Sequence, residues 1–167
     1  MNDSLTELDI KKMREELDDR ITRLRPEILE EVKRTRAFGD LSENFEYKEA
    51  KRAKSRNESR IRYLERMISS AHIIRDTSAA DEVGLYDRVE LYMPEDDECE
   101  TIQVVTTVRC DPLSGLISRE SPLGRAVLGK KAGDRVTVHV SDSVSYPVEI
   151  RSIVKQDDDG SAPILQY

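Results

Sequence analysis

The chain has no tryptophan, two phenylalanines, two histidines and two cysteines among its 167 residues. Each shortage excludes something. His72 and His139 lie far apart in sequence, which argues against a histidine metal site or a Cys–His nucleophile pair. Cys99 and Cys110 show neither metal-ligand spacing nor a disulfide framework and read as free thiols of a reducing cytosol. No apolar run approaches the ~18–20 residues that cross a bilayer. The N-terminus, with Asp3, Glu7 and Asp9, has no basic and apolar leader of the secretory kind. A cytoplasmic protein with no membrane partner is expected. Hydrophobic residues make up only 37%, against about 45–50% in average soluble chains. An elongated helical part beside a small globular part suits this composition better than one compact globule.

Charge is abundant instead, at 37% of residues. The net −7 is unevenly divided: residues 1–78 carry 18 Lys and Arg against 17 Asp and Glu, residues 79–167 carry 9 against 17, giving +1 and −8. Such asymmetry suggests separate modules with separate partners.

From residue 8 to 37 the apolar positions Ile10, Met13, Leu17, Ile21, Leu24, Ile28 and Val32 are spaced by three and four, one stripe on a helix. Pro26 should kink this helix without ending it, because the stripe continues in phase beyond it. A second stripe runs through Ala50, Ala53, Asn57, Ile61, Leu64, Ile68 and Ala71. Gly39 marks a turn between them, so the two helices form an antiparallel hairpin. Arms of about 30 residues would reach about 45 Å at 1.5 Å per residue.

The turn concentrates the chemistry. Asp40 and Glu43 have the spacing of a capping box that would start the second helix. The same carboxylates, facing solvent at the end of a probe, could be delivered into another molecule. Two ligands do not satisfy the six-ligand shell of Mg²⁺, so a metal role would need ligands from a partner. Phe38 and Phe45 flank the turn, and a packed pair locking it is the simpler expectation. Residues 20–36 sum to +3 and residues 48–66 to +5, while 37–47 sum to −3. An acidic point on a basic shaft fits contact with a polyanion through its phosphates, without sequence reading.

Beyond a linker at 77–82 the pattern becomes β-like, with short runs at 88–93, 101–108, 135–140 and 146–154. Residues 121–130 read as one short helix, with Ser121 as N-cap and Pro122 in its first turn. This makes a small α+β domain over 83–155. Residues 156–167 form an acidic tail to which no order is assigned.

The run GDLSENFEYKEAK at 39–51 resembles the tip signature of bacterial Gre-family transcript cleavage factors. Leu24-Arg25-Pro26-Glu27-Ile28 is similar to the family's Arg-Pro-Glu segment, and residues 117–138 are similar to part of its C-terminal domain. The resemblance spans about residues 5–155. It implies an α+β chain: a coiled-coil hairpin over 1–76 with its acidic tip at 39–47, then an FKBP-like polymerase-docking domain over 83–155. It implies a monomeric accessory factor, not itself an enzyme. The hairpin would enter the secondary channel of bacterial RNA polymerase and stimulate the polymerase's own cleavage of backtracked RNA. Asp40 and Glu43 would help hold a Mg²⁺ shared with the polymerase, no cofactor being bound alone. Lys51, Arg52 and Arg56 would contact the nascent RNA near its 3′ end. Glu120, Ser121 and Pro122 would contact the polymerase. Phe45, Lys48 and Ser59 depart from common family residues.

Three other readings compete. A channel-binding inhibitor would share the partner but not the cleavage, and the intact Asp40 and Glu43 argue against it. A prolyl isomerase would need an aromatic pocket, yet residues 83–155 hold no Trp or Phe. A plain helical spacer would use Asp40 and Glu43 only as caps.

Overall fold

The computed structural model describes residues 4–39 and 44–166. It divides into two compact units: Asp9–Ala71, and Ser4–Leu8 together with His72–Gln166.

The first unit is the helical hairpin. Helix α1 (Glu7–Asp19) passes through a π-helical turn (Arg20–Leu24) into α2 (Arg25–Arg36). Asp19 and Leu24 at the junctions keep right-handed helical backbone angles, so the path is unbroken. Pro26 has no N–H to donate, and its ring would press on the carbonyl four residues back. The wider turn just before it, in which the Arg25 N–H reaches the Arg20 carbonyl, is the adaptation. The expected distortion is therefore present as a π-turn, and the helix does not end at the proline. Gly39 follows α2 with φ +97°, and a Cβ there would meet nothing within 4 Å. Backbone conformation, not space, favours glycine at that position.

The returning helix is α3 (Phe45–Ser70). Its stripe is present in part: Ala50, Asn57, Ile61 and Leu64 are buried, Ala53, Ile68 and Ala71 only half-buried, and Met67 is buried beside Ile68. Ile10 and Met13 of α1 are buried too. Leu17, Ile21, Leu24, Ile28 and Val32 are only half-buried. Polar pairs supply what the thin apolar seam does not. Arg60 donates Nε and Nη2 to Glu16 at 2.9 and 3.0 Å, and Arg20 donates Nε to the same carboxylate at 2.7 Å. Arg20 also reaches Asn57 Oδ1 at 3.0 Å. Arg25 grips Glu58 with two bonds of 2.7 and 2.8 Å. Glu16 meets Arg60, Arg25 meets Glu58 and Arg34 meets Glu46, so the arms run antiparallel. Burial pushes the Glu16 carboxyl up, but hydrogen bonds from Arg60 and Arg20 outweigh it and hold the group below the ordinary carboxylate range.

In the second unit, β1 (Ser4–Leu5) lies parallel to β2 (His72–Ile73). A five-stranded sheet has the order β5-β4-β3-β7-β6. Its strands are β3 (Arg88–Met93), β4 (Glu98–Val105), β5 (Leu116–Ser118), β6 (Arg135–His139) and β7 (Ser145–Val154). Only the β4–β5 pairing is parallel within it. Val89, Leu91, Ile102, Val104, Val138, Val148 and Ile150 build the core, with Val127 from the short helix α4 (Pro122–Val127).

The acidic tail has a defined course, which corrects its reading as a segment without assigned order. Asp87, fully buried, accepts from Lys155 Nζ at 2.6 Å and from the Gln156 N–H at 3.0 Å. Fully buried Arg109 pairs with Asp158 at 2.8 Å. Leu165 N–H donates to the Val108 carbonyl at 2.8 Å, and Ala162 is buried. Aspartates that look like a solvated run are counter-charges and turn formers for the domain beneath them.

Candidate functional site

The hairpin end is closed by hydrogen bonds. Asn44 is the N-cap of α3: its Oδ1 accepts from the Tyr47 N–H at 3.0 Å. Its Nδ2 donates at 2.7 Å to the carbonyl of Thr35, in the last turn of α2. The Phe38 N–H shares that carbonyl at 3.2 Å. Thr35 is fully buried and its hydroxyl donates to the Glu31 carbonyl at 2.8 Å. One amide side chain thus caps the second helix and satisfies an orphan carbonyl of the first. Arg34 adds an ion pair across the hairpin to Glu46 at 3.8 Å.

This arrangement corrects two expectations. The cap of α3 is Asn44, so the helix does not draw its N-cap from Asp40. Asp40 and Glu43 themselves lie outside the described residues. Nor do the phenylalanines form a buried lock: Phe38 is 54% and Phe45 79% exposed. Thr35 and Asn44 already close the turn, which leaves both rings to solvent. Arg34 lies 5.1 Å from the Phe38 ring centre and Lys48 5.5 Å from that of Phe45.

The basic residues of the shaft divide into two groups. Arg20, Arg25 and Arg60 are committed to the interhelical pairs given above. Lys51, Arg52 and Arg56 face solvent on one arm. Lys51 Nζ lies 5.4 Å from the Tyr47 ring centre. Glu49 links the other two, at 2.7 Å from Arg56 and 3.7 Å from Arg52. The Arg56 hydrogen bond is the main reason its carboxyl sits below the ordinary range. These exposed pairs are screened and exchange readily for other anions, phosphates included. Sequence counting treated all the shaft's charge as one outward patch; the carboxylates at Glu16 and Glu58 were the missed signal.

In the second unit, Glu120, Ser121 and Pro122 lie together at the start of α4. Ser121 Oγ accepts from the Gly124 N–H at 3.0 Å and donates to the Ser118 carbonyl at 2.7 Å, the expected N-cap. Pro122 is exposed in the first turn. Glu120 pairs with Arg125 at 3.2 Å and Arg119 at 3.3 Å. A Cβ on Gly124 would stand 2.1 Å from the Ser118 carbonyl oxygen, so only glycine permits this close approach. The segment is tied down by these bonds and presents a carboxylate beside an exposed proline.

Among the described residues no group of three or more His, Cys, Asp or Glu side chains could hold a metal ion. No helix among them is long and apolar enough to cross a membrane. Cys99 and Cys110 are free.

Comparison with known proteins gives matches over both units. The family described as Transcription elongation factor, N-terminal, matches residues 4–73. The family described as Transcription elongation factor, GreA/GreB, C-term, matches residues 78–155. Transcription elongation factor GreA of Leuconostoc mesenteroides is 42% identical over 145 residues, covering 86% of this chain and 91% of that protein. GreA of Oenococcus oeni is 40% identical over 146 residues, covering 86% and 90%. GreA of Bacillus licheniformis is 43% identical over 135 residues, covering 80% and 85%.

Proposed function

The chain belongs to the GreA/GreB family of transcription elongation factors, and from that premise we propose that its hairpin enters the secondary channel of bacterial RNA polymerase and stimulates the polymerase's cleavage of backtracked RNA. The factor is not itself a catalyst. Its tip supplies carboxylates to a site that belongs to the polymerase. A polymerase partner fits a factor that works in the cytoplasm as a monomer.

The observation that carries this reading is the closure of the hairpin by Asn44 and Thr35. It anchors both ends of the segment that bears Asp40 and Glu43 and supplies the cap of α3 without them. Their carboxylates fit a Mg²⁺ shared with the polymerase, whose hard-oxygen preference they match but whose shell they cannot fill alone. Such an ion, when bound, lowers the pKa of an attacking water and offsets charge on the departing oxygen. The chain's own residues position this chemistry. Asn44 and Thr35 hold the two flanks of the tip together. Lys51, Arg52 and Arg56 neutralise RNA phosphates. Glu120, Ser121 and Pro122 seat the second unit on the polymerase surface.

The test is RNA cleavage in a stalled, backtracked complex. The wild-type factor accelerates it, and Asp40→Ala or Glu43→Ala abolishes the acceleration while binding persists. Slowed synthesis without cleavage would fit a channel-binding regulator instead.

A further inference from the structure

The chain has only two phenylalanines and no tryptophan, and neither phenylalanine is in the core. Both stand at the closed end of the hairpin, 54% and 79% exposed. Their positions are tied together, because the Phe38 N–H and the side chain of Asn44, the residue before Phe45, bond the same Thr35 carbonyl. Each ring has a cation near it, Arg34 for Phe38 and Lys48 for Phe45. Two residues on, Tyr47 and Lys51 repeat the pairing. Three aromatic rings, each with its own cation, therefore flank the tip.

This combination selects an occupant. An aromatic anchor seated in a protein pocket sits in a surface depleted of lysine. Sites that hold single-stranded nucleic acid combine stacking rings with cations that track the backbone, without reading sequence. The cations answer phosphates, and the exposed ring offers a face to any base. Resting on the proposed entry into a backtracked polymerase, we infer that Phe45, aided by Phe38, stacks the bases of the extruded single-stranded RNA. It thereby holds the 3′ segment beside the tip carboxylates. Phe45 is thus a positioning residue for the cleaved strand, distinct from the phosphate contacts at Lys51, Arg52 and Arg56.

The test uses the full chain and polymerase complexes whose extruded 3′ nucleotide is 2-aminopurine, alongside complexes with no extruded RNA. Phe45→Leu keeps apolar volume but removes the ring, and Phe45→Trp restores one. We expect the wild type and Phe45→Trp to quench the 2-aminopurine fluorescence on binding, and Phe45→Leu to lose most of the quenching. Phe45→Leu should bind the backtracked complex roughly five- to tenfold more weakly and bind the complex without extruded RNA unchanged. Equal weakening on both complexes would show that Phe45 packs on polymerase and would overturn the inference. So would unchanged quenching and affinity in Phe45→Leu. Failure of the wild type to bind polymerase or to stimulate cleavage would overturn the proposed function as well.

Discussion

Asn44 donates its side-chain amide to the Thr35 carbonyl at 2.7 Å while its oxygen caps α3. Asn44→Ala removes both bonds and should destabilise the hairpin by about 1–2 kcal/mol. Asn44→Ser keeps a capping oxygen and loses the donor to Thr35, so it should fall between the two. Urea unfolding followed by helical circular dichroism ranks the three proteins.

Glu16 joins two arginines from opposite arms, and its folded-state carboxyl titrates below the ordinary range. A depressed folded pKa contributes stability that is fully present above the unfolded value and is lost as pH falls through the folded one. Hairpin stability should therefore decline below the ordinary carboxylate range, and Glu16→Gln should flatten that decline. Glu49 and Glu58 shift in the same direction, but they are more exposed. The part of the decline that survives high salt is assigned to Glu16. Thermal melts across pH at two salt concentrations separate the contributions.

Asp158 is a carboxylate partner of fully buried Arg109. Asp158→Ala removes a charge-assisted hydrogen bond from that buried guanidinium and should cost about 1.5–3 kcal/mol. Ending the chain after Gln156 should destabilise the second unit at least as much. Asp142→Ala, in an exposed turn, should change little. Denaturant midpoints of the three variants give the comparison.

Gly124→Ala would place a methyl group against the Ser118 carbonyl. The backbone must shift, at a cost of about 1–3 kcal/mol, and Ser121 and Pro122 would move with it. Weaker polymerase binding with intact helical content in the hairpin is the expected result, read by competition binding and circular dichroism.

The hairpin was legible in the sequence because spacings of three and four recur at every helical turn, and burial follows them at Met13, Ile61 and Leu64. Strand β3 was legible to the residue, since Arg88–Met93 alternates and ends at a turn. Strand β5 was hidden because three residues beside a turn carry no period. The cap was not legible: Asp and Asn are equally good N-caps, and the choice between Asp40 and Asn44 rests on a carbonyl at Thr35. The tail and the shaft show the same limit. Whether Asp158 or Arg60 faces water depends on a partner distant in sequence, which composition does not reveal. Asp40 and Glu43 were read from spacing and resemblance, and they lie outside the described residues.

The central claim is that the tip supplies ligands for a metal held at the polymerase active site. The most direct measurement is the Mg²⁺ dependence of RNA cleavage in a backtracked complex, saturated with either wild-type factor or the Asp40→Asn/Glu43→Gln double variant. The wild type should lower the Mg²⁺ concentration needed for half-maximal cleavage, and the variant should leave it at the value for polymerase alone. The same Mg²⁺ dependence with both proteins, at equal occupancy, would contradict the account.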